Sequence, residues 1–450
     1  MALTELQGTT TTIKEQKLRD IAFKEALAVW VRIGFLSFGG PAGQIALMHR
    51  IIVEEKKWLD ESRFLHALNY CMLLPGPEAQ QLATYTGWLL HGVRGGLVAG
   101  VLFILPGALA IFALSWLYVA LGDLAIVEGV FFGLKAAVLA IVVQALIRIG
   151  RRALKGRLRH ALALGGFIAL FVFGLPFPLV VLGAGVIGYA AAKWTGIPNS
   201  APIESDINSD AVVRPGTRRA ALVCLLLWLI TVGGLLACLG YDNVFSQLAV
   251  FFSKMATVTF GGAYAVLAYV AQQGVENFQW LQPGEMLEGL ALAETTPGPL
   301  ILVTQFIGFL AAYREAAVQA SFLHASLGAL LTLWVTFLPC FLWIFAGAPY
   351  VEKLRANHSL SAALAAVTAV VVGVIANLAL WFAVNSLFSE QYRLAGWGVD
   401  MRLPVPGSVD MPMLILSAIA FILVFRLRLG IMPLLSIAAT LGALWVLWAG

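Results

Sequence analysis

Apolar runs of membrane-spanning length follow one another along almost the whole chain, and no other feature restricts its fold as severely. A hydrocarbon core about 30 Å thick takes roughly 20 apolar residues per helical crossing. Such runs lie at residues 21–48, 64–90, 96–120, 124–147, 161–174 and 177–192, and then at 220–239, 244–270, 286–312, 318–346, 362–388, 411–425 and 431–449. Hydrophobic residues fill 60% of the 450 positions and charged residues 12%. Lipid is therefore the main solvent, and the expected fold class is an all-α polytopic membrane protein.

Two polar stretches divide the chain. Residues 1–20, where Glu5 and Glu15 mix with Lys14 and Lys17, lack a basic-then-apolar leader pattern and read as a cytoplasmic tail. Residues 193–219, rich in Pro, Ser, Asn and Asp, read as a cytoplasmic linker between an N-terminal transporter repeat at 21–192 and a C-terminal one at 220–450. The net charge of +5 comes from short loops between apolar runs, which speaks for topology and against a nucleic-acid partner. Cys71, Cys224, Cys238 and Cys340 sit in apolar runs without metal-ligand spacing, so neither a zinc site nor any cofactor is expected.

The halves are copies of each other. Phe38-Gly39-Gly40, Val53, Glu54, Trp58, Leu68 and Pro75-Gly76-Pro77 recur 222 positions later as Phe260-Gly261-Gly262, Val275, Glu276, Trp280, Leu290 and Pro297-Gly298-Pro299. The loop between the motifs carries Arg50, Lys56, Lys57 and Arg63 in the first copy, whereas residues 271–285 of the second carry no Lys or Arg. Positive-inside bias puts these equivalent loops on opposite faces, so the halves form an inverted-topology repeat. If every run crossed, the basic loop 50–63 would lie outside. Treating the four motif-bearing runs as broken, re-entrant segments leaves nine full crossings. It also gathers the loops 50–63, 148–159, 214–219, 353–355 and 426–428 in the cytoplasm with the N-terminus.

Gly39, Gly40 and Pro41 fall inside one apolar run and Pro75-Gly76-Pro77 inside the next, so the helices lose regular hydrogen bonding at membrane depth. One isolated break is ordinarily a packing kink. Paired breaks in both copies point instead to half-helix N-termini whose free amides converge on one anion, with Gly39, Gly40, Pro75, Gly76, Pro77, Gly261, Gly262, Pro297, Gly298 and Pro299 as the binding elements.

Arg32 and Lys254 stand six residues before each Phe-Gly-Gly, as cations that either offset a dianion or snorkel to the interface. Ser37 and Thr259 immediately precede the same motifs, with hydroxyls placed to donate to the anion or to a helix carbonyl. Glu78 and Glu294 flank the Pro-Gly-Pro turns as candidates for proton coupling, although they do not correspond under the repeat. Lys135, mid-run, is expected to pair with Glu128 or to line the pathway.

The spacing of Gly39-Gly40, Val53, Trp58 and Pro75-Gly76-Pro77, preserved through Trp280 in the second copy, resembles the signature of the chromate ion transporter family in its long, two-domain form. Gly87 and Gly95 resemble the family's downstream glycines, while the second half offers only Gly308 at a different distance. The resemblance implies an inner-membrane carrier that exports chromate, with sulfate as the competing anion. Expected partners are thus chromate and the lipid bilayer, with a homodimer left open. Export can run on membrane potential, and a proton antiport would add to it. The rival classes are a sulfate carrier of the same fold and a membrane-embedded enzyme. For the latter, His49, His66, His91, His160, His324 and His358 are too scattered to make a catalytic or metal-binding constellation.

Overall fold

The computed structural model describes residues 21–122, 124–195, 216–260, 263–315, 321–348, 358–396 and 398–449. The expected tail, most of the linker, and Gly261 and Gly262 lie outside the described residues. The first half runs α1 (Phe23–Leu36), α2 (Gly40–His49), a π-turn (Arg50–Glu55), α3 (Glu61–Cys71), α4 (Glu78–Leu121), α5 (Ala125–Ala153), α6 (Arg157–Phe171) and α7 (Phe177–Thr195). Helix α8 (Thr217–Leu239) follows. The second half runs α9 (Val244–Val258), α10 (Ala263–Gln272), a π-turn (Gln273–Asn277), α11 (Pro283–Thr295), a 3-10 turn (Leu300–Leu302), α12 (Val303–Glu315), α13 (Phe322–Gly347) and α14 (His358–Leu387). A hairpin of β1 (Gln391–Gly396) and β2 (Val399–Pro404) then leads to α15 (Met411–Phe421) and α16 (Ile431–Ala449).

The repeat extends well past the motifs. Helix starts lie 221 to 225 positions apart as far as α12, and α5 and α14 start 233 apart, at Ala125 and His358. The last helix pairs, α6 with α15 and α7 with α16, start 254 apart. The final increase is the β-hairpin, which interrupts only the second half. Both π-turns close alike: Lys56 and Phe278 donate to the carbonyls of Ile51 and Gln273, and Trp58 and Trp280 to those of Ile52 and Gly274. Lys57 and Gln279 both take φ of 53°.

As a rod, 44-residue α4 would measure about 66 Å, more than twice the hydrocarbon thickness. Instead it turns sharply at His91 (φ −129°, ψ 23°) and Gly92 (φ 63°, ψ −151°). Its two arms then pack so closely at Gly87 and Gly95 that a Cβ on Gly87 would lie 2.4 Å from the Gly95 carbonyl oxygen. Gly308 and Gly328 make the same contact between α12 and α13. Gly328 is thus the second-half counterpart that ungapped spacing hides, because the connection into α13 is longer.

Polar contacts trace the broken segments back to the face they leave. Lys56 pairs with Glu25 at 2.8 Å, and His91 Nε2 meets the Ile21 carbonyl at 2.8 Å, so the start of α1, the first π-turn and the bend of α4 share one face. In the second half Glu315 accepts from the Val244 N–H at 3.2 Å, and Arg314 donates to the Trp280 carbonyl at 2.7 Å. That face also holds the β-hairpin, where Arg402 pairs with Glu276 at 3.3 Å and the Asp400 N–H reaches the Val172 carbonyl at 2.8 Å. The four motif-bearing segments are therefore re-entrant, two from each face. The long arm of α4, with α5, α6, α7, α8, α13, α14, α15 and α16, makes the crossings. Seven helices among the described residues are long and apolar enough to span a bilayer by themselves, while α6 and α15 are shorter.

Basic residues concentrate on the face of the first π-turn: Arg50, Lys56, Arg94, Arg151, Arg152, Arg157, Arg218 and Arg426 all lie at helix ends there. Helices α15 and α16 of the second half pack on α5, and α6 and α7 of the first half pack on α14. Small residues permit the approach: a Cβ on Gly133 would sit 1.9 Å from the Ala438 carbonyl oxygen, and one on Gly373 would sit 2.0 Å from that of Ala163.

Candidate functional site

Each re-entrant segment loses its helix where the sequence withdraws either side-chain constraint or a backbone donor. Helix α1 stops at Ser37 (ψ 64°), and α2 restarts from Gly39 and Gly40, with φ of 86° and 69°, ahead of Pro41. Such positive φ values suit glycine, which has no Cβ to clash. Helix α9 stops at Thr259 (ψ 88°) in the same way. The second breaks centre on Gly76 (φ 124°) and Gly298 (φ 94°), each between prolines that cannot donate to a preceding turn.

The four breaks meet crosswise. Gly76 donates its N–H to the Thr259 carbonyl at 2.8 Å, and Gly298 donates to the Ser37 carbonyl at 2.8 Å. The first break of each half is thereby bonded to the second break of the other. Gly107 backs one crossing, close enough to Pro297 that a Cβ would lie 1.9 Å from its carbonyl oxygen, and the Cys340 side chain backs the other at Gly76. Leu105-Pro106-Gly107 and Leu338-Pro339-Cys340 are counterparts 233 positions apart, a repeat signal outside the 222 register.

Beside the Gly298 crossing lies a narrow cleft, closed in this conformation to a water-sized probe, lined by Gly39, Gly40, Ala293, Glu294, Thr296, Gly298 and Leu300. The first-turn amides of α2 have no acceptor inside their own helix. Buried Gln44 braces the site, its Nε2 donating to the Gly298 carbonyl at 2.5 Å while its Oε1 has no partner. The Glu294 carboxylate accepts from the Tyr264 hydroxyl at 2.5 Å, and the charge of Arg148 on α5 acts on both groups.

The structure sorts the residues singled out in sequence. Glu294 comes together with Gly39, Gly40 and Gly298, whereas Gly76 lies at the other crossing and Glu78 sits in the first turn of α4 near Cys71, apart from the cleft lining. Arg32 is about half exposed and pairs with Glu55 at 2.7 Å, and Lys254 is exposed, so neither lines the cleft. The Ser37 and Thr259 hydroxyls donate at 2.6 Å to the carbonyls of Ile33 and Met255. Each has one proton, so here it serves its own helix. Trp58 and Trp280 close the π-turns, Trp280 stacked on Phe278 with ring centroids 4.3 Å apart.

Lys135 pairs with Glu288 at 2.7 Å, correcting the expected Glu128 partner. Tyr118 donates to Glu288 at 2.5 Å, and Arg314 pairs with Glu285. Gln44 and Tyr264 were missed because the repeat places Val266 and Ala42 opposite them; an isolated polar side chain within an apolar run was the available signal. Among the described residues no three His, Cys, Asp or Glu side chains gather as metal ligands.

The two re-entrant hairpins are not equivalent. Helix α11 packs on α5, α14 and α16, and α10 packs on α14. The first-half hairpin of α2 and α3 rests on α4 without comparable packing on α5, α7 or α14, leaving Leu65 45% and Met72 51% exposed.

The sequence model of the family described as Chromate transporter matches residues 24–189 and 246–444. A chromate transport protein of Pseudomonas aeruginosa is 32% identical over 358 residues, covering 79% of this chain and 80% of its own. One of Cupriavidus metallidurans is 28% identical over 364 residues, covering 81% and 83%. A probable chromate transport protein of Synechococcus elongatus is 28% identical over 393 residues, covering 86% and 92%. No solved structure matches the chain.

Proposed function

Because this chain belongs to the chromate transporter family, a family of membrane transporters and not of enzymes, we propose that it carries chromate out of the cell across the inner membrane. The basic face is cytoplasmic, by the excess of Lys and Arg at its helix ends. The tetrahedral dianion binds at the crossing breaks, on amides of the Gly39-Gly40 turn and of Gly261 and Gly262, with the Pro75-Gly76-Pro77 and Pro297-Gly298-Pro299 turns framing the site. Ser37 and Thr259 supply the carbonyls that hold those turns. Arg32 and Lys254 draw the anion toward the breaks from outside the cleft, and Trp58 and Trp280 fix the hairpin tips.

The observation that carries this reading is the reciprocal pair of bonds, Gly76 to Thr259 and Gly298 to Ser37, which joins the breaks of the two halves, the Gly298 crossing lying beside a cleft. Helix N-termini converging at a repeat interface are a familiar way to bind an anion inside a membrane. The unequal packing of the two hairpins supports alternating access, the second-half hairpin closed down and the first-half hairpin released. Membrane potential drives export: each charge moved is worth about 2.3 kcal/mol per 100 mV, and a dianion gains roughly twice that.

The test is chromate accumulation in cells expressing the intact protein or the Gly39→Leu, Gly261→Leu double variant at matched membrane levels. Lower accumulation with the intact protein alone is expected. Equal accumulation in both would overturn chromate export through the breaks, and labelled sulfate would then be the next anion to measure.

A further inference from the structure

The cleft beside the Gly298 crossing contains a carboxyl group. Glu294 lines it together with Gly39, Gly40, Thr296 and Gly298, and among the described residues no Lys or Arg does so. Helix α10 presents the Tyr264 hydroxyl, which donates to Glu294, and α5, which packs on α11, presents Arg148. Arg148 acts from beyond ion-pair distance and donates to Gln144 at 3.3 Å. No other charged or titratable group from α4, α12, α14, α16 or the 3-10 turn is recorded facing Glu294 among the described residues.

Resting on the proposed anion site, we infer that Glu294 is a proton-binding site of the carrier and that the proton crosses with the oxyanion, in the same direction. An ionised carboxylate and a dianion repel strongly when they share a narrow cleft from which water is excluded. Anion entry therefore favours the protonated carboxyl, and by reciprocity a protonated carboxyl favours anion entry. This linkage has a fixed sign. A carboxylate inside the binding site couples antiport of protons to cations, whose binding expels the proton. Toward an anion the same group couples cotransport. The antiport expected from the sequence is thus the opposite of what a carboxyl in this position delivers. A dianion accompanied by one proton still leaves an inside-negative cell down the potential, moving one net charge per cycle instead of two.

The experiment uses the full chain in liposomes, with a trapped pH indicator and labelled chromate or sulfate outside. With the intact protein, anion entry acidifies the lumen by about one proton per anion. With Glu294→Gln, whatever anion enters does so without acidification, and the charge moved per anion doubles. A proton riding on the anion itself would persist in Glu294→Gln, which separates it from one carried by the carboxyl. Tyr264→Phe and Glu294→Asp keep a titrating carboxyl and retain the acidification, guarding against a variant that fails to fold. Luminal alkalinisation, no pH change with the intact protein, or undiminished acidification with Glu294→Gln would each overturn the inference while leaving anion transport in place. Absence of anion entry with the intact protein would overturn the proposed function as well.

Discussion

The backbone N–H of Gly298 lies 2.8 Å from the carbonyl oxygen of Ser37, a residue 261 positions earlier in the chain, and this bond joins a Pro-Gly-Pro turn of one half to a Phe-Gly-Gly break of the other. Gly76 and Thr259 repeat it. The crossing depends on glycine at both donors. Gly76→Ala places a Cβ 2.9 Å from both Cys340 Sγ and Gln81 Nε2, and Gly298→Ala places one 3.1 Å from Leu302 Cδ1, each at a φ that L residues avoid. Backbone strain alone is worth about 1–3 kcal/mol. Both variants are expected to lose transport and to unfold earlier in detergent, while Gly165→Ala, with open space on α6, behaves as the parent.

Orientation can be read from the protein's own cysteines. Among the four, Cys238 alone is exposed, at the end of α8 opposite the basic face, while Cys71, Cys224 and Cys340 are buried. A membrane-impermeant maleimide added to intact cells is expected to label Cys238, and Cys238→Ser to abolish the labelling. Labelling that requires opening the cells would invert the topology.

Lys135 and Glu288 hold α5 to α11, with side chains 24% and 10% exposed. Removing one partner of such a pair strands the other charge at a cost of about 3–5 kcal/mol, whereas replacing both by apolar groups often restores stability. Lys135→Met is thus expected to lower thermal stability sharply, and Lys135→Met with Glu288→Leu to recover much of the loss. A double variant no more stable than the single one would contradict this.

The crossings, the inverted repeat and the re-entrant segments were all legible in sequence, because each follows from local signals: run length, Lys and Arg in short loops, and Gly and Pro at fixed spacing. Long-range facts were not. The Glu55 partner of Arg32 is 23 positions away and that of Lys135 is 153 away, and no periodicity reports such pairings. Gly328 escaped notice because a longer connection shifts the register there. The β-hairpin lies in a short polar interval with no apolar run to announce it.

That hairpin offers a pH prediction outside the membrane. Arg393 donates to Asp400 at 2.6 and 2.7 Å and holds its carboxyl below the usual carboxylate range. A depressed carboxyl stabilises the folded hairpin above the unfolded value of about 3.9, and the benefit fades as pH falls through the lower folded value. Hydrogen exchange across residues 391–404 is expected to be faster in Asp400→Asn than in the parent at neutral pH, and the two should converge in acid. A difference that grows in acid would refute the assignment.

The exchange of terminal helices between the halves has a consequence for how the protein is made. Helices α6 and α7 pack on α14, which begins more than 160 residues after α7 ends, and α5 waits still longer for α15 and α16. A chain synthesised from its N-terminus therefore inserts its first half before those contacts exist, with apolar faces provisionally held by lipid. Assembly is completed only when the last hairpin is released from the ribosome. Loss of α15 and α16 would expose α5 in the older half as well as shorten the younger one.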